Sequence, residues 1–429
     1  MISEAGRARV EPGEAFVWIW LPRAMQPVIA GRIVRDGDTY AFNYGRSYLA
    51  RADAVAIYAP ELPLRRGLIE PEPPLEMAGC LRDGAPDAWG RRVIINRLTG
   101  LGGEAAHQVD FDELTFMLNS GSDRIGALDF QLSAERYQPR EQENATLDDL
   151  MDAADRVERG EPVPPALDKA LFHGSSIGGA RPKALVEDGR DKFIAKFSST
   201  GDTMSVVKAE FLAMRLGAEL GLDVAPVRLA RASGRDVLLV RRFDREWTGE
   251  GWARRGMVSA LTMLGLSEMQ ARYASYGDLA DLVRARFTEP RATLRELFGR
   301  MVFNVLIGNT DDHARNHAAF WDGARLTLTP AYDLCPQPRG GREANQAMLI
   351  HGPDKRSLLE TCRLSAPQFL LSDNDARALI RAQIGGIMAQ WNSICDEAEL
   401  GTIDRAFLWR RQFLNDYAFE GYIDGAPGL

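Results

Sequence analysis

The chain has 429 residues with 52 basic and 60 acidic side chains, which gives a formal net charge of −8. This charge argues against a protein that binds nucleic acid alone over a broad surface, because such binding depends on phosphate neutralisation. No apolar run approaches the roughly 18 residues that a membrane span requires, and the N-terminus lacks a secretory pattern. We therefore expect a cytoplasmic protein without membrane contact. The length predicts about three domains.

The first residues are rich in short β-prone segments. Ala15–Leu21, Val28–Val34 and Thr39–Tyr44 alternate with turn residues and predict a small antiparallel sheet. Trp18 and Trp20 alternate with apolar neighbours, so both faces of the first strand are apolar. Plain core is the favoured interpretation, and cover by another domain or a partner is the alternative.

Two helices and a linker are predicted next. The helices cover 86–98, with Pro86 in the first turn, and 111–118. Residues 134–169 are charged and carry Pro162, Pro164 and Pro165, which is typical of a linker or a peripheral helix. The four cysteines lie far apart, so we expect neither a zinc site nor a disulfide framework.

A glycine-rich loop, Gly174–Lys183, precedes a predicted strand. Glycines let backbone N–H groups approach phosphate oxygens without a β-carbon in the way. Because the loop follows neither of the two common phosphate-loop patterns, it is a weak indication of a nucleotide site by itself.

The next strand and helix carry a candidate ion pair. Lys192, Ile194 and Lys196 share one face of an alternating strand, and the helix Met204–Leu220 carries Glu210. A strand lysine after a glycine-rich loop is the kinase arrangement in which the amine reaches nucleotide phosphates. Solvated positions for both side chains are the alternative. The apolar strand 235–244 then ends in a charged joint, where the backbone around Arg241–Phe243 would contact an adenine.

The segment Asn309–Asn316 carries the candidate chemistry. It follows an amphipathic helix, Thr293–Gly308, and precedes a hairpin with an Asp322-Gly323 turn. Asp311 stands five residues before Asn316, as in kinase catalytic loops, and Asp333 follows the hairpin as a second metal carboxylate would. Such a pair alone is also typical of an ordinary capped loop. The ordered series of upstream elements favours a kinase.

Several stretches resemble the HipA family of toxin serine/threonine kinases. They are Ser175–Lys183, Val240–Asp244, Gly308–Asn316, Ala331–Leu334, Arg82–Arg92 and Asp123–Ala127. The resemblance implies an α+β, two-lobed protein-kinase-like fold. It divides the chain into an N-terminal β-rich subdomain (1–105), an N-lobe with the glycine-rich loop (106–244) and an all-helical C-lobe (245–429).

The resemblance also implies residue roles. Asp311 would be the catalytic base, Asn316 and Asp333 would bind Mg²⁺, and Ser176 or Ser175 would be autophosphorylated, which inhibits the enzyme. The residues implied at the ATP site are Ser176, Ile177, Gly178, Gly179, Ala180, Lys183, Lys196, Glu210, Arg241, Phe243, Asp244 and His313. Arg241 departs from relatives that carry an acidic residue in this joint.

Partners follow from the same resemblance. A HipB-like helix-turn-helix antitoxin would carry the DNA contact, and the substrate would be a protein hydroxyl, with aminoacyl-tRNA synthetases as known family targets. Two alternatives remain: a non-catalytic corepressor that binds an antitoxin, and a small-molecule kinase.

Overall fold

The computed structural model describes residues 12–101, 109, 111–140, 145–161, 163–164, 175–177, 179–199, 202 and 204–426. The chain forms two compact units, Met1–Ala180 and Arg181–Leu429. Each unit has its own sheet and its own buried core. The finer three-domain division stays a prediction.

The first unit contains a four-stranded antiparallel sheet in the order β3-β2-β1-β4. Its strands are β1 (Glu14–Ile19), β2 (Val28–Asp36), β3 (Thr39–Tyr44) and β4 (Leu128–Gln131). Trp18 and Trp20 are buried, and the ring of Tyr137 packs against both at centroid distances of 5.5 and 5.4 Å. The same unit therefore covers this aromatic face, which confirms the interpretation as core.

The first unit also contains helices. They are α1 (Arg46–Leu49), α2 (Gly79–Arg82), α3 (Ala88–Thr99), α4 (Glu113–Leu118) and α5 (Leu147–Arg159). Helix α3 ends at Gly100, whose φ of +72° is a left-handed conformation that glycine adopts without steric cost. Helix α5 begins with a capping box between Thr146 and Asp149, so the charged segment contains a peripheral helix.

The second unit begins with another antiparallel sheet, in the order β5-β6-β8-β7. Its strands are β5 (Lys183–Asp188), β6 (Asp191–Phe197), β7 (Val227–Ala232) and β8 (Arg235–Arg241). The register places Lys183 directly opposite Lys196. Between β6 and β7 lies helix α6 (Val206–Glu219), whose apolar residues Ala209, Leu212, Ala213 and Leu216 are completely buried.

The remainder of the second unit mixes helices and strands. The helices are α7 (Ala260–Met263), α8 (Tyr276–Arg286), α9 (Pro290–Ile307), α10 (Leu359–Ser365), α11 (Asp373–Glu397) and α12 (Thr402–Leu408). Short 3-10 helices cover Glu268–Tyr273, Ala314–Asn316, Ala366–Phe369 and Asp416–Phe419. The strands are β9 (Arg245–Trp247), β10 (Trp252–Arg254), β11 (Met257–Ser259), β12 (Ala318–Trp321) and β13 (Leu326–Leu328).

These strands correct one detail of the expected fold, because residues 245–429 are not all helical. Strands β9 and β10 pair with each other, and β12 pairs with both β11 and β13. The hairpin of β12 and β13 was predicted from its turn. The pairing of β11 joins residues about sixty positions apart in sequence, which local periodicity does not encode.

Helix α9 fixes the position of the segment that follows it. Its seven predicted apolar residues, from Leu294 to Leu306, are all at most 1% exposed. The helix stops at Gly308, whose φ is +69°. A β-carbon there would lie 2.8 Å from the carbonyl oxygen of Gln412, so both the conformation and the close packing require glycine.

Among the described residues, no helix is both long and apolar enough to span a bilayer. The four cysteines are buried free thiols.

Candidate active site

The strand lysine and the helix glutamate form a buried ion pair. Lys196 lies on β6 and Glu210 on α6, and the Nζ and Oε1 atoms are 2.5 Å apart. The Glu210 side chain is only 4% exposed. Burial raises the pKa of Glu210, and the neighbouring Lys196 ammonium opposes that effect. Glu210 therefore orients the lysine, and the alternative of a solvated glutamate is wrong.

Asp333 contacts the same lysine although it lies far from it in the sequence of the unit. The Lys196 Nζ lies 2.5 Å from Asp333 Oδ1, although 137 residues separate the two positions. Burial disfavours the charged carboxylate, but the Lys196 ammonium outweighs that cost and lowers the pKa of Asp333 to about 2. Burial likewise disfavours the charge on Lys196, and its two carboxylate neighbours raise the lysine pKa. The ammonium is thus shared by two carboxylates.

The backbone around Asp333 holds it in an uncommon conformation. Its φ of +59° lies in the left-handed region, which costs about 1–3 kcal/mol for a residue other than glycine. The amide of Asn309 bonds the Asp333 carbonyl at 3.4 Å. The start of the candidate catalytic segment therefore touches the candidate metal ligand.

Asp311 and Asn316 are joined through a backbone contact. The side-chain nitrogen of Asn316 donates to the carbonyl oxygen of Asp311 at 3.2 Å. Asp311 itself is exposed, whereas Asn316 is 8% exposed. Partial burial and the nearby charges of Asp333 and Asp312 raise the pKa of Asp311, with His313 opposing them. The Nδ1 of His313 is buried without a hydrogen-bond partner among the described residues.

The charged joint after β8 has largely structural contacts. Arg241 is exposed and pairs with Asp191 at 2.7 Å, and the Phe243 ring packs between Phe320 and Tyr332 at 5.9 and 5.7 Å. The buried Asp244 accepts hydrogen bonds from two arginines, Arg242 and Arg245. The predicted nucleotide contacts of these side chains stay predictions.

The glycine-rich loop divides between the two units. Lys183 is buried on β5, opposite Lys196, and its positive charge opposes the burial that raises the pKa of Glu210 and adds to the effect of Lys196 that lowers the pKa of Asp333. Ser175, Ser176, Ile177, Gly179 and Ala180 belong to the first unit. Gly178 lies outside the described residues.

The serines of this loop are buried within the first unit. Ser175 is 0% exposed and accepts a hydrogen bond from the backbone of Gly121 at 3.2 Å, and Ser176 is 3% exposed. The loop backbone lies against helix α3, where a β-carbon on Gly90 would sit 1.9 Å from the Ser175 carbonyl oxygen. Both hydroxyls are therefore enclosed in this conformation.

Sequence reasoning missed a group of buried polar side chains beneath Asp311. The Nε2 atom of His317 lies 2.9 Å from Asp312 Oδ1, and the hydroxyl of Tyr276 contacts both side chains. The signal in the sequence was the Asp311-Asp312 pair, since consecutive side chains in a non-helical segment tend to face opposite sides.

The fold and the ion pairs together define a kinase-like α+β protein, because a strand lysine joined to a helix glutamate and a post-hairpin aspartate is the arrangement of that class. Two family models match the chain: the HipA N-terminal domain over residues 24–131 and the HipA-like C-terminal domain over residues 175–391. The second model covers half of the chain. The chain belongs to the HipA family.

Individual relatives agree with this assignment. The chain is 33% identical to Y4mE of Sinorhizobium fredii over 147 residues, and 29% identical to the serine/threonine-protein kinase toxin HipA of Shewanella oneidensis over 185 residues. These alignments cover 33% and 37% of this chain, but only 33% and 42% of the two relatives.

A solved structure shows the same fold. The match is the complex of HipA, HipB and operator DNA from Shewanella oneidensis, with a TM-score of 0.64 at 20% identity. It covers 91% of this chain and 97% of the matched chain. Because the identity is low, this likeness shows the fold alone.

Proposed function

We propose that the chain is a toxin-type serine/threonine protein kinase that transfers the γ-phosphate of ATP to a protein hydroxyl. The observation that carries the proposal is the position of Lys196, 2.5 Å from both Glu210 and Asp333. A kinase requires these three groups together, since the glutamate orients the lysine towards the phosphates and the aspartate faces the metal. The neighbouring Asp311 and Asn316 complete the expected set.

Each side chain has one task in this proposal. Lys196, held by Glu210, binds the phosphate oxygens of the nucleotide. Asp311 accepts the proton of the substrate hydroxyl as that oxygen attacks the γ-phosphate. Its exposure leaves room for an incoming protein side chain. The catalytic gain comes mainly from positioning and from neutralising charge.

The residues present fit a magnesium ion, which prefers hard oxygen ligands. The amide nitrogen of Asn316 is used on the Asp311 carbonyl, so its amide oxygen is the atom available to a metal. Lys196 holds one oxygen of Asp333, and 40% of that side chain is exposed. When bound, Mg²⁺ would neutralise charge on the phosphate oxygens.

Incubation of the purified chain with labelled ATP and Mg²⁺ tests the proposal. We expect label on protein serine or threonine, and we expect Asp311→Asn to abolish it. Asp322→Asn is the matched control, because Asp322 is an exposed aspartate in the nearby hairpin turn and asparagine also suits that turn. Equal labelling by wild type and Asp311→Asn would refute the assignment of the base.

The finer regulation is part of the same proposal. Ser176, or its neighbour Ser175, accepts phosphate within the chain, which silences the enzyme. A HipB-like antitoxin binds the protein and carries the DNA contact, a proposal supported by the Shewanella complex, which contains HipA, HipB and operator DNA. The substrate is a cytoplasmic protein, with aminoacyl-tRNA synthetases as the first candidates. Phosphopeptide mapping of a host lysate incubated with the protein and ATP tests the substrate class.

A further inference from the structure

Tyr276, Asp312 and His317 form a buried cluster, called here the Tyr276 cluster. Their exposed fractions are 1%, 2% and 3%. The Tyr276 hydroxyl donates to Asp312 Oδ2, and His317 Nε2 lies 2.9 Å from Asp312 Oδ1 and 3.3 Å from the same hydroxyl. Burial, followed by the charge of Asp312, raises the pKa of Tyr276 well above its usual value, so the hydroxyl keeps its proton and remains a donor.

The cluster joins both ends of one short segment to a separate helix. Asp312 directly follows Asp311, His317 directly follows Asn316, and Tyr276 is the first residue of α8. The backbone of His317 is also fixed, because its carbonyl accepts a hydrogen bond from Ala260 at 2.7 Å. One tyrosine hydroxyl therefore contacts both Asp312 and His317, the residues that directly follow Asp311 and Asn316.

Burial of a carboxylate here is costly unless its hydrogen bonds are made. An apolar trio of similar volume would often be equally or more stable than such a polar group. The cluster is therefore poorly explained by stability alone. Its geometric effect is specific: with the Asp312 side chain fixed inward at 2% exposure, the adjacent Asp311 side chain is exposed.

We propose that Tyr276, Asp312 and His317 are positioning residues that anchor the backbone next to Asp311 and Asn316, so that Asp311 faces the substrate hydroxyl and the Asn316 amide oxygen faces the metal. This inference rests on the proposed kinase function and deepens it. The three side chains are not proposed to contact substrate or nucleotide. They act through the backbone that Asp311 and Asn316 share.

The variant Tyr276→Phe tests the proposal, because it removes a single hydroxyl and preserves the ring. Tyr422→Phe is the matched control: Tyr422 is also buried in the second unit, and its hydroxyl also bonds a carboxylate, that of Asp424, at 3.3 Å. Hydrogen exchange of the backbone amides of residues 309–318 reports the position of the segment without any need for activity. Steady-state kinetics report the consequence for phosphoryl transfer.

For Tyr276→Phe we expect at least about 10-fold faster exchange in residues 309–318, the scale set by loss of one hydrogen bond to a charged group. We expect kcat to fall about 10- to 100-fold, which is the usual loss when a residue that orients a metal-ligating side chain is replaced. The loss should be larger in kcat than in the KM for ATP, since Lys196 and Glu210 are unchanged. Tyr422→Phe should alter neither result.

A second variant pair guards against a purely structural effect. His317→Gln retains a donor for Asp312 and should keep more of the wild-type kcat than His317→Leu, which has similar size without a donor. Unchanged exchange in residues 309–318, or a wild-type kcat in Tyr276→Phe, would overturn the inference. If the wild-type chain transfers no phosphate, the proposed function falls, and the exchange result alone decides whether the cluster holds the segment.

Discussion

The shared lysine gives the sharpest prediction, because its removal leaves two carboxylates without their cation. Lys196→Met keeps nearly the same side-chain length and deletes the charge. Glu210 and Asp333 each lie 2.5 Å from the lost ammonium. We expect phosphoryl transfer to disappear and the second unit to become less stable at neutral pH.

The size of the loss follows from the burial of each partner. Removal of one member of a buried ion pair costs about 3–5 kcal/mol. Glu210, at 4% exposure, bears this cost fully, whereas Asp333 is 40% exposed and recovers hydration. We therefore expect a decrease of about 3 kcal/mol in the free energy of unfolding at pH 8, the lower end of that range.

The loss of stability in Lys196→Met should be larger at pH 8 than at pH 5. The pKa of Glu210 is raised in the folded wild type, and loss of the ammonium raises it further. The folded variant therefore binds a proton that the unfolded chain releases above about pH 4.3. Stability of the variant falls as pH rises through that window, so the deficit relative to wild type should be smaller at pH 5 than at pH 8.

Urea unfolding at both pH values measures these effects, with hydrogen exchange of peptides from residues 181–429 as the probe. Lys192→Met is the matched control on the same strand. Lys192 is 13% exposed and lies over the Trp252 ring, but its partner Glu187 is 47% exposed and recovers hydration, so this change should cost less than Lys196→Met. The double variant Lys196→Met/Glu210→Met should recover stability without activity. Equal deficits at pH 5 and pH 8 would refute this electrostatic reasoning.

Three further predictions concern the packing of the glycine-rich loop, the buried Asp244 and the pH dependence of catalysis. Gly90→Ala should displace the loop from helix α3, because its β-carbon would meet the Ser175 carbonyl, and peptides of residues 175–180 should exchange hydrogen faster. Asp244→Asn should cost about 3–5 kcal/mol by weakening buried bonds to two arginines, whereas Arg241→Ala should cost less than about 1 kcal/mol in urea unfolding. The pH profile of kcat/KM should fall on the acid side as Asp311 is protonated, at a pH above the ordinary aspartate pKa of about 3.9.

Each of these expectations has a contradicting result. Gly13→Ala serves as the control for the loop, because no atom of the described residues lies within 4 Å of a β-carbon placed there, and equal exchange in both variants would refute the packing argument. Similar losses for Asp244→Asn and Arg241→Ala would contradict the structural role of Asp244. An acid limb that survives in Asp311→Glu at the same pH would assign that limb to another group.

Features that depend on local periodicity could be predicted from the sequence. The apolar repeat of α9 was predicted with its glycine stop, because spacings of three and four encode one helix face. The hairpin of β12 and β13 followed from its Asp-Gly turn. Alternation on β6 indicated which lysines share a face. The order of Lys196, Glu210, Asp311, Asn316 and Asp333 was likewise a property of the sequence.

Burial and pairing between distant residues were decided only by the tertiary structure. Whether Glu210 is solvated or buried depends on the packing of α6 against a sheet, and the pairing of β11 with β12 joins distant segments. The nucleotide contact expected of Asp244 stays a prediction, and only the structure shows its buried bonds to Arg242 and Arg245. The sequence by itself determined the family and the candidate residues. The fold decided which carboxylates share Lys196 and which side chains lie beneath Asp311, because such contacts form between residues whose separation along the chain carries no periodic signal.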